Sequence, residues 1–184
     1  MPQSPLHSHH EDLGARFTDF AGWSMPVQYE GVIAEHMAVR QSVGIFDVSH
    51  LGRFRVAGPG ATALLRRHLC NDVAGIGPGR AQYTMALNDA GGVIDDIIVW
   101  RWEEESYWVL PNGANYDEVL ERFAAAAAPE LTIEPLQATT ALMAVQGPGA
   151  PELIESVLGT TPGRFRLATA EYESIPISMA GTGY

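Results

Sequence analysis

Lysine is absent from this chain of 184 residues, and all eleven basic residues are arginines. A Schiff base to pyridoxal phosphate therefore cannot form, and no P-loop lysine is available for nucleotide phosphates. Cysteine is nearly absent. Cys70 stands alone, which excludes a disulfide within the chain and suits a reducing compartment. It is expected as a small hydrophobe at a helix end rather than as a nucleophile. No apolar run approaches the ~20 residues that span a bilayer. Met1-Pro2-Gln3-Ser4-Pro5 has neither a basic nor an apolar leader region, so no secretory signal is expected and a cytoplasmic location is. Positive charge is scarce: the net charge is −11. That argues against nucleic acid, whose binding rests on phosphate neutralisation, and against an anionic membrane surface. Neither of the Gly-rich turns carries G-x-G-x-x-G, so a dinucleotide site is not expected.

What is present centres on residues 82–115. Gln82 to Leu87 reads as a strand, and Asn88-Asp89-Ala90-Gly91-Gly92 as a turn that tolerates positive φ. Residues 93–100 read as a second strand, apolar except for Asp95 and Asp96, and residues 107–112 as a third. Adjacent strand residues face opposite sides of a sheet, so the two carboxylates are not a shared-proton dyad. One is expected to meet solvent or backbone donors and the other to point into a pocket. A carboxylate satisfied by turn amides is the plainer alternative.

Around this centre the chain alternates strands and helices. Residues 1–12 read as a polar tail whose His7, His9 and His10 are mobile rather than a metal site. Phe17, Phe20, Trp23 and Tyr29 are expected in the core, on short strands about a turn. Helices are expected at 31–43, with Ile33, Met37 and Arg40 on one side, and at 61–70. A further helix at 115–127 places Tyr116, Val119, Leu120 and Phe123 on one face. Another is expected at 150–158. Strands are expected at 44–48, 53–57, 131–134, 142–146 and near 172–179. Asp47 and His50 form either an acid–base pair or a cap with a structural histidine.

The chain repeats itself once. Val56-Ala57-Gly58-Pro59-Gly60-Ala61 is echoed by Val145-Gln146-Gly147-Pro148-Gly149-Ala150, and in both a strand runs through a Gly-Pro turn into a helix. Two related α/β lobes follow from this, giving an α+β fold rather than a solenoid. The Gly-rich end, Ala180 to Tyr184, suggests that the last strand continues into a segment the chain lacks.

Several stretches resemble one family, the glycine cleavage system T-protein or aminomethyltransferase. They are Asp19-Phe20-Ala21-Gly22-Trp23-Ser24-Met25-Pro26-Val27-Gln28-Tyr29, Gly44-Ile45-Phe46-Asp47-Val48-Ser49-His50, Gly79-Arg80-Ala81-Gln82-Tyr83-Thr84, Asn88 through Asp96, and Leu142-Met143-Ala144-Val145-Gln146-Gly147-Pro148. The resemblance implies a three-domain cloverleaf around a folate channel, here truncated at its C-terminus. Residues 1–51 and 137–184 would belong to domain one and residues 52–136 to an inserted domain two, with domain three absent. It implies transfer of a one-carbon unit from aminomethyl-dihydrolipoyl H-protein to tetrahydrofolate, with release of ammonia and without a metal or pyridoxal phosphate. It makes Asp96 the catalytic carboxylate. It makes Leu51, Tyr83, Asp96, Ile98, Trp100, Leu110, Asn112 and Tyr184 the folate-binding set. Leu51 stands where the family often has Met, a mild exchange, and Trp100 stands where Tyr is common. Two alternatives share the fold: a non-catalytic folate-binding or assembly protein, and the folate domain of a sarcosine- or dimethylglycine-type demethylase.

Overall fold

The computed structural model describes residues 1–182. Its framework is the ribbon on either side of the Asn88–Gly92 turn. There the Asn88 side chain accepts hydrogen bonds from the Ala90 and Gly92 amides at 3.0 and 2.9 Å, and Gly91 takes φ 80°. The turn joins β5 (Arg80–Leu87) to β6 (Val93–Glu103), and β7 (Ser106–Leu110) follows. With β4 (Phe54–Ala57) and β8 (Thr132–Pro135) they form one antiparallel sheet in the order β5-β6-β7-β4-β8.

The pleat sorts this sheet into two faces. One carries Phe54, Val56, Ile97, Val99, Tyr107 and Val109, each at most 1 % exposed. It is covered by α3 (Ala61–His68), through Leu64 and Leu65, and by α4 (Tyr116–Ala126), through Val119 and Phe123. Each such fully buried side chain contributes about 1.5–3 kcal/mol. The other face carries Tyr83, Met85, Asp96, Ile98, Trp100, Trp108 and Leu110.

Elsewhere the described residues form three two-stranded sheets, three α-helices and three short 3-10 turns. β1 (Arg16–Phe20) pairs with β2 (Trp23–Gln28), β3 (Gly44–Asp47) with β9 (Met143–Gln146), and β10 (Leu167–Tyr172) with β11 (Ile175–Ala180). The helices are α1 (His7–Asp12), α2 (Val32–Gln41) and α5 (Ala150–Leu158). The internal echo is structural as well as textual. Gly58 and Gly147 have φ 117° and 114°, and a Cβ at either would lie 2.5 or 2.4 Å from a main-chain carbonyl oxygen, that of Glu130 or Ser42. Glycine is thus required at both turns by backbone angle and by space.

Arg53 joins the large sheet to the rest. It is 2 % exposed and forms no ion pair among the described residues. Its guanidinium donates instead to the carbonyls of Ser49, Leu51, Gln137 and Thr140 and to the Thr140 hydroxyl, at 2.7–3.1 Å. The donors grip both chain crossings, one entering and one leaving the five-stranded unit.

Several expectations need correction. Phe20 and Tyr29 are 55 % and 36 % exposed, and Phe17 and Trp23 are half-buried, because no third strand among the described residues extends the β1–β2 sheet, which gains only a single bridge from Gln3 to Ser24. α2 buries no residue, and Ile33 is 81 % exposed. The strand expected near 172–179 is two strands, because Glu173 and Ser174 both turn with positive φ. Cys70 is exposed. The N-terminal stretch is not a loose tail: it folds into α1 and buries His10.

Candidate functional site

Asp95 and Asp96 leave β6 on opposite sides, as adjacent strand residues must. Asp95 lies on the helix-covered face, 3 % exposed. Its carboxylate accepts from the Asn112 amide at 2.8 Å, the Asn112 side chain at 2.9 Å and the Asn115 side chain at 2.7 Å. This is the carboxylate satisfied by turn amides. No cation pairs with it among the described residues.

Asp96 projects from the other face and is exposed. The expected pocket is not seen among the described residues: the carboxylate is exposed on the sheet surface, and the clefts around Gly58-Pro59-Gly60 and around Arg55, Trp102 and Trp108 do not include it. Its oxygens are nonetheless held. The Tyr83 hydroxyl donates at 2.9 Å and the Asn112 side chain at 3.3 Å.

The sheet register gathers the other expected residues around it. Met85 lies opposite Asp96, Tyr83 opposite Ile98, and Ile98 opposite Leu110. Trp100 lies opposite Trp108, their rings stacked at 5.7 Å and 14°, and Trp102 meets both edge-on. The result is one carboxylate with a phenol, flanked by aliphatic side chains and ending in an indole cluster. Such a surface sets a hydrogen-bond acceptor beside an aromatic stacking face. The Trp100 indole N–H is buried without a partner among the described residues.

Asn112 spends its amide N–H groups on Asp95 and Asp96, so its contribution is to hold the carboxylates. Leu51 is half-buried in the turn before β4. Its neighbour Gly52 bonds the Pro111 carbonyl at 2.9 Å, which brings that turn alongside residues 110–112. Tyr184 lies outside the described residues.

Asp47 and His50 do not form a pair. Asp47 bonds His10 at 2.8 Å, Ser49 through its amide at 2.9 Å, and the Ser4 hydroxyl. Burial alone would raise its pKa, but the bonds from Ser4, Ser49 and His10 outweigh that and hold it below the ordinary carboxylate value. His10 passes the contact on to the Tyr29 hydroxyl at 2.8 Å. Burial, with the charges of Asp47 and Glu35, raises the Tyr29 pKa. His50 is pushed down by burial and, to a smaller degree, by Arg53, against the pull of Asp47. Its Nδ1 is buried and has no hydrogen-bond partner among the described residues. Sequence reasoning missed His10, Arg53 and Asn115. The only local signals were a histidine on a short helix and an arginine at a strand entry; Asn115 lay only three residues beyond Asn112. Among the described residues no cluster of His, Cys, Asp and Glu is placed to hold a metal ion.

A family model described as the GCVT N-terminal domain matches residues 6–184. An aminomethyltransferase of Parafrankia sp. (strain EAN1pec) is 44 % identical over all of this chain and 51 % of its own length. The chain thus spans about half the length of the curated relatives it matches. The crystal structure of the glycine cleavage system aminomethyltransferase T from Bartonella henselae superposes with TM-score 0.83 at 32 % identity, covering 90 % of this chain and 46 % of that one. A heterotetrameric sarcosine oxidase from Corynebacterium sp. U-96 shares the fold, with TM-score 0.55 at 17 % identity over 82 % of this chain and 77 % of its own.

Proposed function

The chain belongs to the GCVT N-terminal domain family, and on that premise we propose that it supplies the folate-facing sheet of a tetrahydrofolate-dependent aminomethyltransferase of glycine cleavage. One observation carries the reading: the register of β5, β6 and β7 sets Tyr83, Asp96, Ile98, Trp100 and Leu110 on a single face. Tetrahydrofolate, as co-substrate, supplies the amine nitrogens that take up the one-carbon unit. Ile98, Leu110 and Trp100 give its ring an apolar floor, with the half-buried Leu51 at the margin. Asp96 meets the folate amine as a hydrogen-bond acceptor, favours positive charge there and takes up its proton. Tyr83 and Asn112 keep the two carboxylate oxygens in place for that contact.

Residues 1–51 and 137–184 form one domain and residues 52–136 an insertion within it. The pairing of β3 with β9 across the insertion, and a five-stranded sheet drawn wholly from the insertion, support these boundaries. The one-carbon donor is a lipoylated H-protein, and the setting is cytoplasmic. No helix among the described residues is long and apolar enough to cross a membrane.

The test is titration with tetrahydrofolate, followed through the indole cluster, and ammonia release on adding aminomethyl-loaded H-protein to the assembled system. Asp96→Asn is expected to lower turnover at least about 100-fold with the fold intact. Unchanged turnover in that variant removes Asp96 from its role. Folate binding without ammonia release favours the non-catalytic alternative.

A further inference from the structure

Asp95 is costly where it stands. A carboxylate that is 3 % exposed, on the face that also carries Ile97 and Val99, loses its hydration without gaining a cation. An apolar side chain there would serve the core without that penalty. The explanation lies in what its donors do next. Asn112 Nδ2 has two hydrogens. Asp95 Oδ1 takes one at 2.9 Å, and the other lies between the main-chain oxygen of Asp96 at 3.0 Å and its Oδ1 at 3.3 Å. One amide therefore spans the strand and touches both carboxylates. Its own position is fixed from behind. Asn115 donates to the same Asp95 oxygen at 2.7 Å and to the Asn112 carbonyl through its amide at 3.0 Å. Gly113 between them has no room for a Cβ, which would lie 2.4 Å from the His50 carbonyl oxygen.

We propose that Asp95, acting through Asn112 and Asn115, is a positioning residue that fixes the exposed Asp96 carboxylate for its contact with the folate amine. The inference rests on the reading of Asp96 given above. An exposed aspartate on a strand ordinarily samples several rotamers. Here Asn112 holds Oδ1 while Tyr83 holds Oδ2, so the carboxylate plane is set before ligand arrives. Without Asp95 the Asn112 amide has no anchor on the far side of the strand and turns away, leaving Asp96 tethered by Tyr83 alone.

A double-mutant cycle on tetrahydrofolate affinity, read by indole fluorescence of the whole chain, separates this role from plain core stabilisation. Asp95→Asn is expected to weaken binding about tenfold when Asp96 is present and to add nothing in the Asp96→Asn background. Equal weakening in both backgrounds overturns the proposal. A second measurement needs no ligand: scalar couplings report the Asp96 χ1 rotamer, which is expected to be single in the parent and averaged in Asp95→Asn. Asn115→Ala gives the same readout where Asp95→Asn does not fold. A single rotamer in the variant overturns the clamp. If the parent and Asp96→Asn bind tetrahydrofolate alike, the folate reading fails, while the rotamer measurement still decides whether Asp95 positions Asp96.

Discussion

Replacing Arg53 with methionine keeps most of the side chain's volume and removes its five donors. In the parent those donors meet five oxygens at 2.7–3.1 Å, all within residues 49–51 and 137–140. At about 1 kcal/mol net per bond, the lost interactions come to about 5 kcal/mol. Part of this is offset, because methionine has no charge to desolvate. Carbonyls left under-satisfied in the interior add back about 1 kcal/mol. The expected loss is about 3–5 kcal/mol, a large part of the ~5–15 kcal/mol by which a domain is stable. For a chain of this length that lowers Tm by roughly 6–20 °C. Arg53→Lys has three donors and no planar fork, so it falls between the two. The assay is thermal and urea unfolding followed by tryptophan fluorescence, with near-UV circular dichroism to confirm native packing. A methionine variant that melts within about 2 °C of the parent refutes the view that this guanidinium holds the two crossings together.

Gly147→Ala drives a Cβ to within 2.4–2.5 Å of the Ser42 and Val39 carbonyl oxygens at φ 114°, so a loss of about 3 kcal/mol or more is expected in urea unfolding. Gly159→Ala, at φ 72° with open space around it, is the control and loses only about 1 kcal/mol. Asp47→Asn leaves Ser4 and His10 without their shared anion, and limited proteolysis is expected to release the first fourteen or so residues at least tenfold faster. Burial holds the His68 pKa below its ordinary 6.5, reinforced by Arg67 and Arg122 against Asp89. The unfolded chain therefore takes up a proton near that pH when the folded chain does not. Stability is full above this window and is lost as pH falls through 6.5 towards the folded value. His68→Gln flattens the fall between pH 7.5 and 5.5, measured as the urea midpoint at each pH, and an unchanged slope contradicts the assignment.

Much of the architecture was legible because it is written in short-range pattern. Tyr116, Val119 and Phe123 repeat at helical spacing, and all three are buried. Residues 93–100 read as a strand, and the pleat alone then puts the adjacent Asp95 and Asp96 on opposite faces. The echo at Gly58 and Gly147 foretold a shared backbone conformation. What stayed hidden depends on partners far along the chain. His10 is buried by Asp47 and Tyr29, 37 and 19 residues away, and no local period marks that. Phe20 and Ile33 are apolar in the right places for a core, yet apolar character does not say whether another layer lies above them. The hairpin at residues 167–180 turns on Glu173 and Ser174, neither of them a usual residue for positive φ. Of the site, the residue set came from family likeness, while the support beneath Asp96 emerged only from the crossing hydrogen bonds of Asn112.

The pairing of β3 with β9 has a consequence for how the molecule is made. On the ribosome, β4 through β8 can all emerge and close their sheet from near neighbours, whereas β3 must wait for β9. At 5–20 residues per second that delay is on the order of ten seconds. During it β3 lacks its partner strand, and its unpaired backbone edge is open to pairing with other unfinished chains.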